Sequence, residues 1–506
     1  MKKRADRSSF SWFVLAFKAG TIALMIGAPL AGVWVASSLA AFANRATWLP
    51  VVCGLLLFPG LPLAWEGIGA LCSRKKKPGQ RRFLTFSDRL ILRTLVVNIL
   101  FLGVLLAAFP SRAFVALSTR GDWMLEGRSG PLANKVREDL FWGADRIEWL
   151  YALASSNKYE AVADAPVVAE TKPEVGTLTS TAVVAPPIVE AMPSVEVAPS
   201  VEPAPVVLAR PVWPLPSRPH ALIGAIPAAS DTDYASVARY IAEHEPNPYQ
   251  RMRAIHDYVA TRVAYDVEGL QPNKYPSYEP KDVFDRRMGV CAGYANLVQA
   301  MVETIGGKSI IIAGFSREAS STLGNGDHVW NAVEIEGQWY LMDVTWDAGS
   351  VGEGKFEPQY RADYLFTPPE IFVQTHFPAL PQWQLLDEPV SRGDFMRQPL
   401  LNPGFYANGL KLISPLRSQF TVNEAKAKVV LSNTRGTYLI VRAEPARTAE
   451  LSDRVDGPKC DLTYSKDQAN IECPLGPPGK YRLVLFGSGK ALGSQPYLGH
   501  FEVNYQ

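Results

Sequence analysis

Apolar positions run in three long blocks near the N-terminus, and their period changes beyond them. Residues 19–42, 48–65 (extending toward 72) and 94–110 carry few charges. Each is close to the ~18 residues that a helix needs to cross a hydrocarbon core. Backbone polar groups in lipid must pair within the segment, so a helix is the form expected. The pattern predicts an anchor over 1–120 with three transmembrane helices. The second carries Pro59-Gly60-Leu61-Pro62 and Glu66, which predict a kinked or re-entrant segment. In the 121–160 segment, residues 132–158 take up amphipathic helical periodicity, with Leu140, Trp142, Ile147 and Leu150 as candidate face residues. Such a helix would lie on the membrane surface or pack on the domain that follows; both readings stand.

From 161 to 230 the composition turns to Pro, Ala, Val and Glu, with 13 prolines between Pro166 and Pro227. Too few branched and aromatic positions are contiguous there to offset the entropy of ordering. A disordered, semi-extended tether is expected, holding the next domain away from the membrane. Folded periodicity returns over 231–385. Helices are predicted at 234–243, at 249–262 (Met252, Ile255, Tyr258 and Val259 on one face) and at 291–305, the last ended by Gly306-Gly307. A strand follows at 309–315. Residues 328–335 and 338–346 alternate about Glu336-Gly337 as a hairpin would. Over 386–506, segments at 420–431, 437–443, 471–474, 480–487 and 496–504, bounded by Gly, Pro, Asn and Asp, predict an all-β, sandwich-like module. The expected fold class is α+β behind a helical anchor.

Charge sets the direction of the anchor. The net charge of +2 over 506 residues averages a basic front end with a balanced remainder. With no basic stripe, no zinc-ligand spacing and no basic-aromatic interleaving in the soluble region, nucleic-acid binding is excluded. Lys2, Lys3, Arg4 and Arg7 precede the first block. Arg74, Lys75, Lys76, Lys77, Arg81, Arg82 and Arg89 separate the second from the third, and the first short loop has Arg45 alone. The positive-inside rule then puts the N-terminus and the 73–90 loop in the cytoplasm. The expectation is a multi-pass protein of a cell inner membrane or similar bacterial-type cytoplasmic membrane. Everything after Phe109 would stand on its outer, periplasmic or extracellular, side.

Candidate chemistry gathers at Cys291, the first residue of a predicted helix. Unpaired N–H groups and the helix dipole favour a thiolate there. Gly289 and Gly293 leave out side-chain bulk on either side, which would admit a peptide or acyl substrate. Counting back from the Glu336-Gly337 turn pairs Ile335 with Gln338, Trp330 with Asp343 and His328 with Thr345. The period of two puts His328, Trp330, Asp343 and Thr345 on one face, with His328 and Asp343 diagonal neighbours ~7–8 Å apart. An imidazole that takes the thiol proton and a carboxylate that orients it make a nucleophilic Cys-His-Asp site. Trp330, Asp347 and Tyr278 are expected around the cleft in supporting roles. Cys460 and Cys473 flank a turn-like Ser465-Lys466-Asp467; on adjacent strands in an oxidising compartment they would form a disulfide. Cys53 and Cys72 lie in or beside the second apolar block and suggest no chemistry. No ligand cluster calls for a metal or another cofactor.

The runs GVCAGYANL and DHVWNAVEIEGQWYLMDVTWD, then Tyr364-Leu365-Phe366 with Pro368-Pro369 and His376-Phe377-Pro378, resemble the transglutaminase-like superfamily over about 235–385. The nearest branch is the kyphoscoliosis-peptidase-like one. The resemblance implies a papain-like α+β core in which Cys291 is the nucleophile, His328 the base and acid, and Asp343 the orienting carboxylate. It also implies acyl transfer through a thioester. Water as acceptor makes a peptidase or amidase; an amine makes a protein transamidase. In the 275–282 loop, Tyr275, Tyr278 and Lys281 are the side chains available to complete an oxyanion hole. Two functions of different class follow. One is cysteine-dependent acyl transfer on peptide or protein substrates at the membrane. The other is a non-catalytic transglutaminase-like binding or scaffolding module of the cell envelope, with an envelope protein as partner.

Overall fold

The computed structural model describes residues 6–43, 48–73, 85–126, 128, 130–149, 151, 157–163, 212–270, 274, 276–317, 326–352, 354–446 and 457–506. Most of the expected tether, with Leu150 and Tyr275, lies outside the described residues.

Helices Asp6–Phe42, Trp48–Leu55, Leu61–Ser73 and Phe86–Ala108 make up the apolar front end. Three stretches, Ala23–Phe42, Trp48–Leu71 and Phe86–Ala108, are long and apolar enough to cross a membrane. The second is kinked as expected: Phe58 leaves helical geometry just before Pro59, whose ring removes an N–H and crowds the preceding turn. Glu66 is neutralised by Arg89, at 2.7 Å, and by Arg93, as an acid in apolar surroundings requires. Gly32 meets the Asn98 side chain so closely that a Cβ would lie 1.9 Å from Oδ1; the two helices approach there because glycine has no side chain.

Beyond the apolar front end, helix Pro110–Arg120 packs directly on the body that follows. Its Phe114 and Val115, with Tyr151, join Phe315, Phe377, Phe395 and Met396 in one cluster, and Arg397 donates to the Ser118 carbonyl at 3.0 Å. Helix Pro131–Asp145 is shorter than predicted. It buries Phe141 and Ala144, while Trp142 is 61% exposed; Arg397 and Arg417 lie over the Phe141 ring at 4.1 and 5.2 Å. This face therefore packs on the soluble body, leaving Leu132, Val136 and Trp149 exposed. Residues 212–230, expected within the tether, also fold onto the body. Leu215 and Ile223 enter the central core, and the Asp257 carboxylate accepts the His220 N–H at 2.6 Å.

The central domain is built on helix Pro248–Arg262. Asn247 starts it by accepting the N–H groups of Tyr249 and Gln250, with Pro248 at the first helical position. Helix Cys291–Thr304 packs against it and against an antiparallel sheet. The sheet order is Gln338–Met342, Gly326–Ile335, Lys308–Ser316, His376–Pro378. Glu336 and Gly337 both take positive φ, 54° and 76°, the left-handed turn that suits a twisted hairpin. Ile335 faces Gln338, the register counted from the sequence, but pairing stops at Asn331 and Met342. The predicted strand to 346 is instead a short helix, Val344–Ala348, capped by Asp343. His328 consequently faces Gly314 on the other neighbouring strand and has no pairing with Thr345.

Beyond residue 400, two sheets share one apolar cluster. One runs Leu410–Ser414, Lys426–Asn433, Gln468–Pro474, Asp461–Ser465; the other runs Gln419–Val422, Tyr497–Tyr505, Gly479–Ser488, Tyr438–Pro445. The predicted strand 420–431 is thus two strands in different sheets. Leu410–Ser414 and Asp461–Ser465, which alternate weakly, carried no prediction. Asp461 pairs with Glu472, which brings Cys460 and Cys473 face to face, bonded, with Cα atoms 4.2 Å apart. Loop-closure entropy makes such a link worth about 3 kcal/mol. The double substitution Cys460→Ala with Cys473→Ala is expected to destabilise these sheets by that order in denaturant unfolding. Alkylation of intact membranes before reduction is expected to leave both cysteines unlabelled.

Candidate active site

Cys291 opens a helix of 14 residues whose N-cap, Val290, offers no side-chain cap. The first N–H groups of a helix have no partner within it, and Cys291 stands at that end. Gly289 and Gly293 serve a different purpose from the one expected. A Cβ on either would come within 3.3 or 2.9 Å of Val283. Their lack of a side chain lets helix Pro280–Arg286 close against the cysteine helix; it opens no path for a substrate.

His328 Nε2 meets Asp343 Oδ2 at 2.6 Å, and the Cys291 side chain lies near enough to act on the same imidazole. The carboxylate is held from four directions. Oδ1 accepts the N–H groups of Thr345 and Trp346 at 2.9 and 3.1 Å. Oδ2 also accepts Nε2–H of a second imidazole, His376, at 2.9 Å. The Thr375 hydroxyl bonds His376 Nδ1 at 2.9 Å, which fixes the ring with its proton toward Asp343. His376 had no assigned role in the sequence reading. Its place in the His376-Phe377-Pro378 run was visible, but its position on the strand beside Lys308–Ser316 was not.

Burial alone would raise the Asp343 carboxyl, yet the two imidazoles hold it far below the ordinary carboxylate range. Burial pushes the His328 imidazole down, but Asp343 and then the thiol contact carry it up to about 10. Burial, with charged His328 nearby, pushes His376 down to about 4, so this ring is neutral. The state at neutral pH is an imidazolium between a carboxylate and the Cys291 sulfur, with a neutral histidine steadying the carboxylate. The donor atoms of His328, Asp343 and His376 lie within 4.8 Å of one another; both Nε2 atoms are already turned to the same carboxylate oxygen.

Asp347 was expected on the His328 face of a strand. It sits instead on the short helix that Asp343 caps and faces away from His328. One oxygen meets His256 Nε2 at 3.1 Å, and the other accepts the Asp363 N–H at 3.0 Å. His256 Nδ1 donates to Asp257 at 2.8 Å, and Asp257 also accepts the Tyr360 hydroxyl at 2.6 Å. Burial works against the His256 charge, but its two carboxylates raise it to about 9. This buried knot ties the helix that bears Asp343 to helix Pro248–Arg262. Trp330 is buried edge-on to His376 at 5.0 Å and packs near His328, closing the floor of the site. Tyr278 packs on the cluster that contains Cys291. Lys281 pairs with Asp285 at the surface. A cleft of about 620 Å³ opens beside His328, lined by Trp346, Arg361 and Tyr364 and, from the β region, Asn402 and Tyr497.

Residues 235–344 match the transglutaminase-like superfamily. The chain is 29% identical to the kyphoscoliosis peptidases of Mus musculus and Homo sapiens over 249 residues, 48% of this chain and 36% of each relative. It is 26% identical to hillarin of Drosophila melanogaster over 151 residues, 25% of this chain and 18% of that protein. The chain thus spans about a third of the length of the kyphoscoliosis peptidases it matches.

The raised imidazoles make stability depend on alkaline pH. His328 and His256 hold their protons well above the ordinary 6.5 when folded. Their contribution is complete below about pH 6.5 and is lost as pH rises through 9 to 10. Asp343, held low, contributes above the ordinary 3.8 and loses that contribution only in strong acid. The thermal midpoint is expected to fall between pH 7 and 10, and His256→Gln is expected to flatten that fall. A wild-type midpoint unchanged across this range would contradict the assignment.

Proposed function

For a chain that carries a transglutaminase-like domain of the kyphoscoliosis-peptidase kind, we propose membrane-anchored, cysteine-dependent acyl transfer on peptide or protein amides. The observation that carries the reading is the burial of Cys291, His328 and Asp343 together, with His328 Nε2 bonded to Asp343 Oδ2 at 2.6 Å. The Cys291 thiolate attacks the amide carbon, forming the S–C bond and an oxyanion. The N–H groups of Cys291 and Ala292, at the open end of the helix, are the donors for that oxygen, with Tyr278 beside the cleft. As the intermediate collapses, the C–N bond breaks and His328 gives its proton to the leaving amine, which leaves a thioester. His328 then takes a proton from the incoming water or amine, the new bond to the acyl carbon forms, and the thiolate is expelled. Asp343 remains a carboxylate throughout, and His376 keeps it turned toward His328. Water as acceptor makes the protein a peptidase or amidase; an amine makes it a transamidase.

The three apolar helices and the basic residues flanking them support a multi-pass anchor in a bacterial-type cytoplasmic membrane, with this domain on the outer side. The bond between Cys460 and Cys473 is in keeping with that oxidising side. The two sheets around one apolar cluster support a sandwich-like C-terminal module.

A scaffolding role is favoured by one observation: Cys291 is only 2% exposed. Release of amine from a peptide mixture by the full chain in detergent separates the two. His328→Ala is expected to lower kcat/KM by about 10³-fold or more, Asp343→Ala by less, and Cys291→Ala to abolish turnover. Equal turnover by wild type and Cys291→Ala, or a Cys291→Ala allele that fully restores a deletion phenotype, would sink the enzyme reading.

A further inference from the structure

The apolar recess beside the Cys291 sulfur is filled by the chain itself. Residues 157–163 form a turn in which Glu160 N–H bonds the Asn157 carbonyl and Ala163 N–H the Tyr159 carbonyl. Tyr159 is 3% exposed and packs with Val290, Ala292, Ala295, Ile311, Ala313 and Val329. Its ring meets Tyr278 edge-on at 6.2 Å, and burial, followed by the neighbouring Cys291, pushes its hydroxyl well above the ordinary range. The turn is pinned by the two residues just before the ring. Asn157 Nδ2 donates to the Gly314 carbonyl, and Gly314 is the strand partner of His328. Lys158 N–H donates to Asp327, adjacent to His328, at 3.3 Å.

An attacked carbonyl carbon has to come within about 3–3.5 Å of the sulfur, and Tyr159 is packed in the same buried cluster as Cys291. The cleft beside His328 is walled by Lys158 and Tyr159, so the ring divides it from the nucleophile. A substrate must displace Tyr159. The recess it leaves is walled by three alanines and three branched side chains, with the rims of Tyr265 and Tyr278 above. It has the shape and polarity of a six-membered ring.

We propose that this recess is the subsite for an aromatic side chain next to the attacked carbonyl, and that Asn157–Ala163 is a removable plug that fills it at rest. The proposal rests on the acyl-transfer reading for its substrate. An aromatic side chain then replaces an aromatic side chain, so little apolar burial is lost in the exchange. The plug, being part of the chain, competes at high effective concentration. It follows helices Pro110–Arg120 and Pro131–Asp145 in sequence, so the resting state is built from the membrane-proximal part of the protein.

Thiol alkylation tests this without needing turnover. The full chain in detergent is treated with chloromethyl ketones derived from phenylalanine or alanine. The sulfur displaces chloride, and the label at Cys291 is followed by mass spectrometry, with Cys291→Ala as blank. Tyr159→Ala is expected to accelerate labelling about tenfold or more, as release of a closed state would, and the phenylalanine reagent is expected to gain more than the alanine one. Tyr159→Phe, which keeps the ring, is expected to stay close to wild type. Asn157→Ala, which removes one pin, is expected to fall between and carries the test if Tyr159→Ala does not fold. A folded Tyr159→Ala labelled no faster than wild type overturns the plug, and equal gains by both reagents overturn the aromatic subsite. In the Tyr159→Ala background, slower labelling on adding His328→Ala supports both readings. Labelling that stays fast sinks the acyl-transfer reading and leaves the plug standing.

Discussion

Everything in the central domain is arranged around one buried carboxylate. An ionised acid at the position of Asp343 is tolerable only if each lone pair is met, and four donors from three separate segments meet it. Thr345 and Trp346 supply backbone N–H groups because Asp343 caps the helix that begins after it. His328 arrives on the hairpin strand, and His376 on a short strand two positions across the sheet. Moving any of these elements leaves the charge partly unpaired, so the requirement fixes the sheet edge, the hairpin register and the end of pairing together. The sharp exit of the chain after Met342, which looks like an interrupted strand, turns the Asp343 side chain under both imidazoles.

A second buried ionic group performs a structural version of the same task. His256, held charged between Asp257 and Asp347, ties helix Pro248–Arg262 to the helix that Asp343 caps. Burying a paired charge yields little net stability, but a missing partner would be costly, so the group specifies one position for that helix. The two histidine-carboxylate systems thus divide the work. One holds His328 against Asp343; the other holds in place the helix that Asp343 caps.

The helix that follows the apolar front end is in direct contact with the body of the fold. Phe114, Val115 and Tyr151 pack on Phe315, Phe377 and Phe395, while Arg392 and Arg397 stack on aromatic rings contributed from both sides of that contact. Arginine suits such a seam because its planar, weakly hydrated head combines with rings and carboxylates at once. The segment carrying Tyr159 packs in the cluster that contains Cys291, which places residues from before the central domain next to the candidate site.

Period and turn chemistry carry local information, and what they determined here was local. The three apolar blocks, the kink at Pro59, the start of a helix at Cys291 and the Glu336-Gly337 hairpin with its register were all legible, because each depends on residues a few positions apart. The register alone kept His328 and Asp343 within reach even though the strand ended early. Tertiary structure decided what depends on distant partners. Gly289 and Gly293 look like an opening for substrate until Val283 is seen against them. Asp347 shares the alternation of a strand until the capping of Asp343 turns the backbone into a helix. His376 and Tyr159 approach the site from 48 residues after His328 and 132 residues before Cys291, separations at which no periodicity survives. Only the packed fold pairs such groups, because burial leaves each polar atom to find whichever partner the core brings beside it.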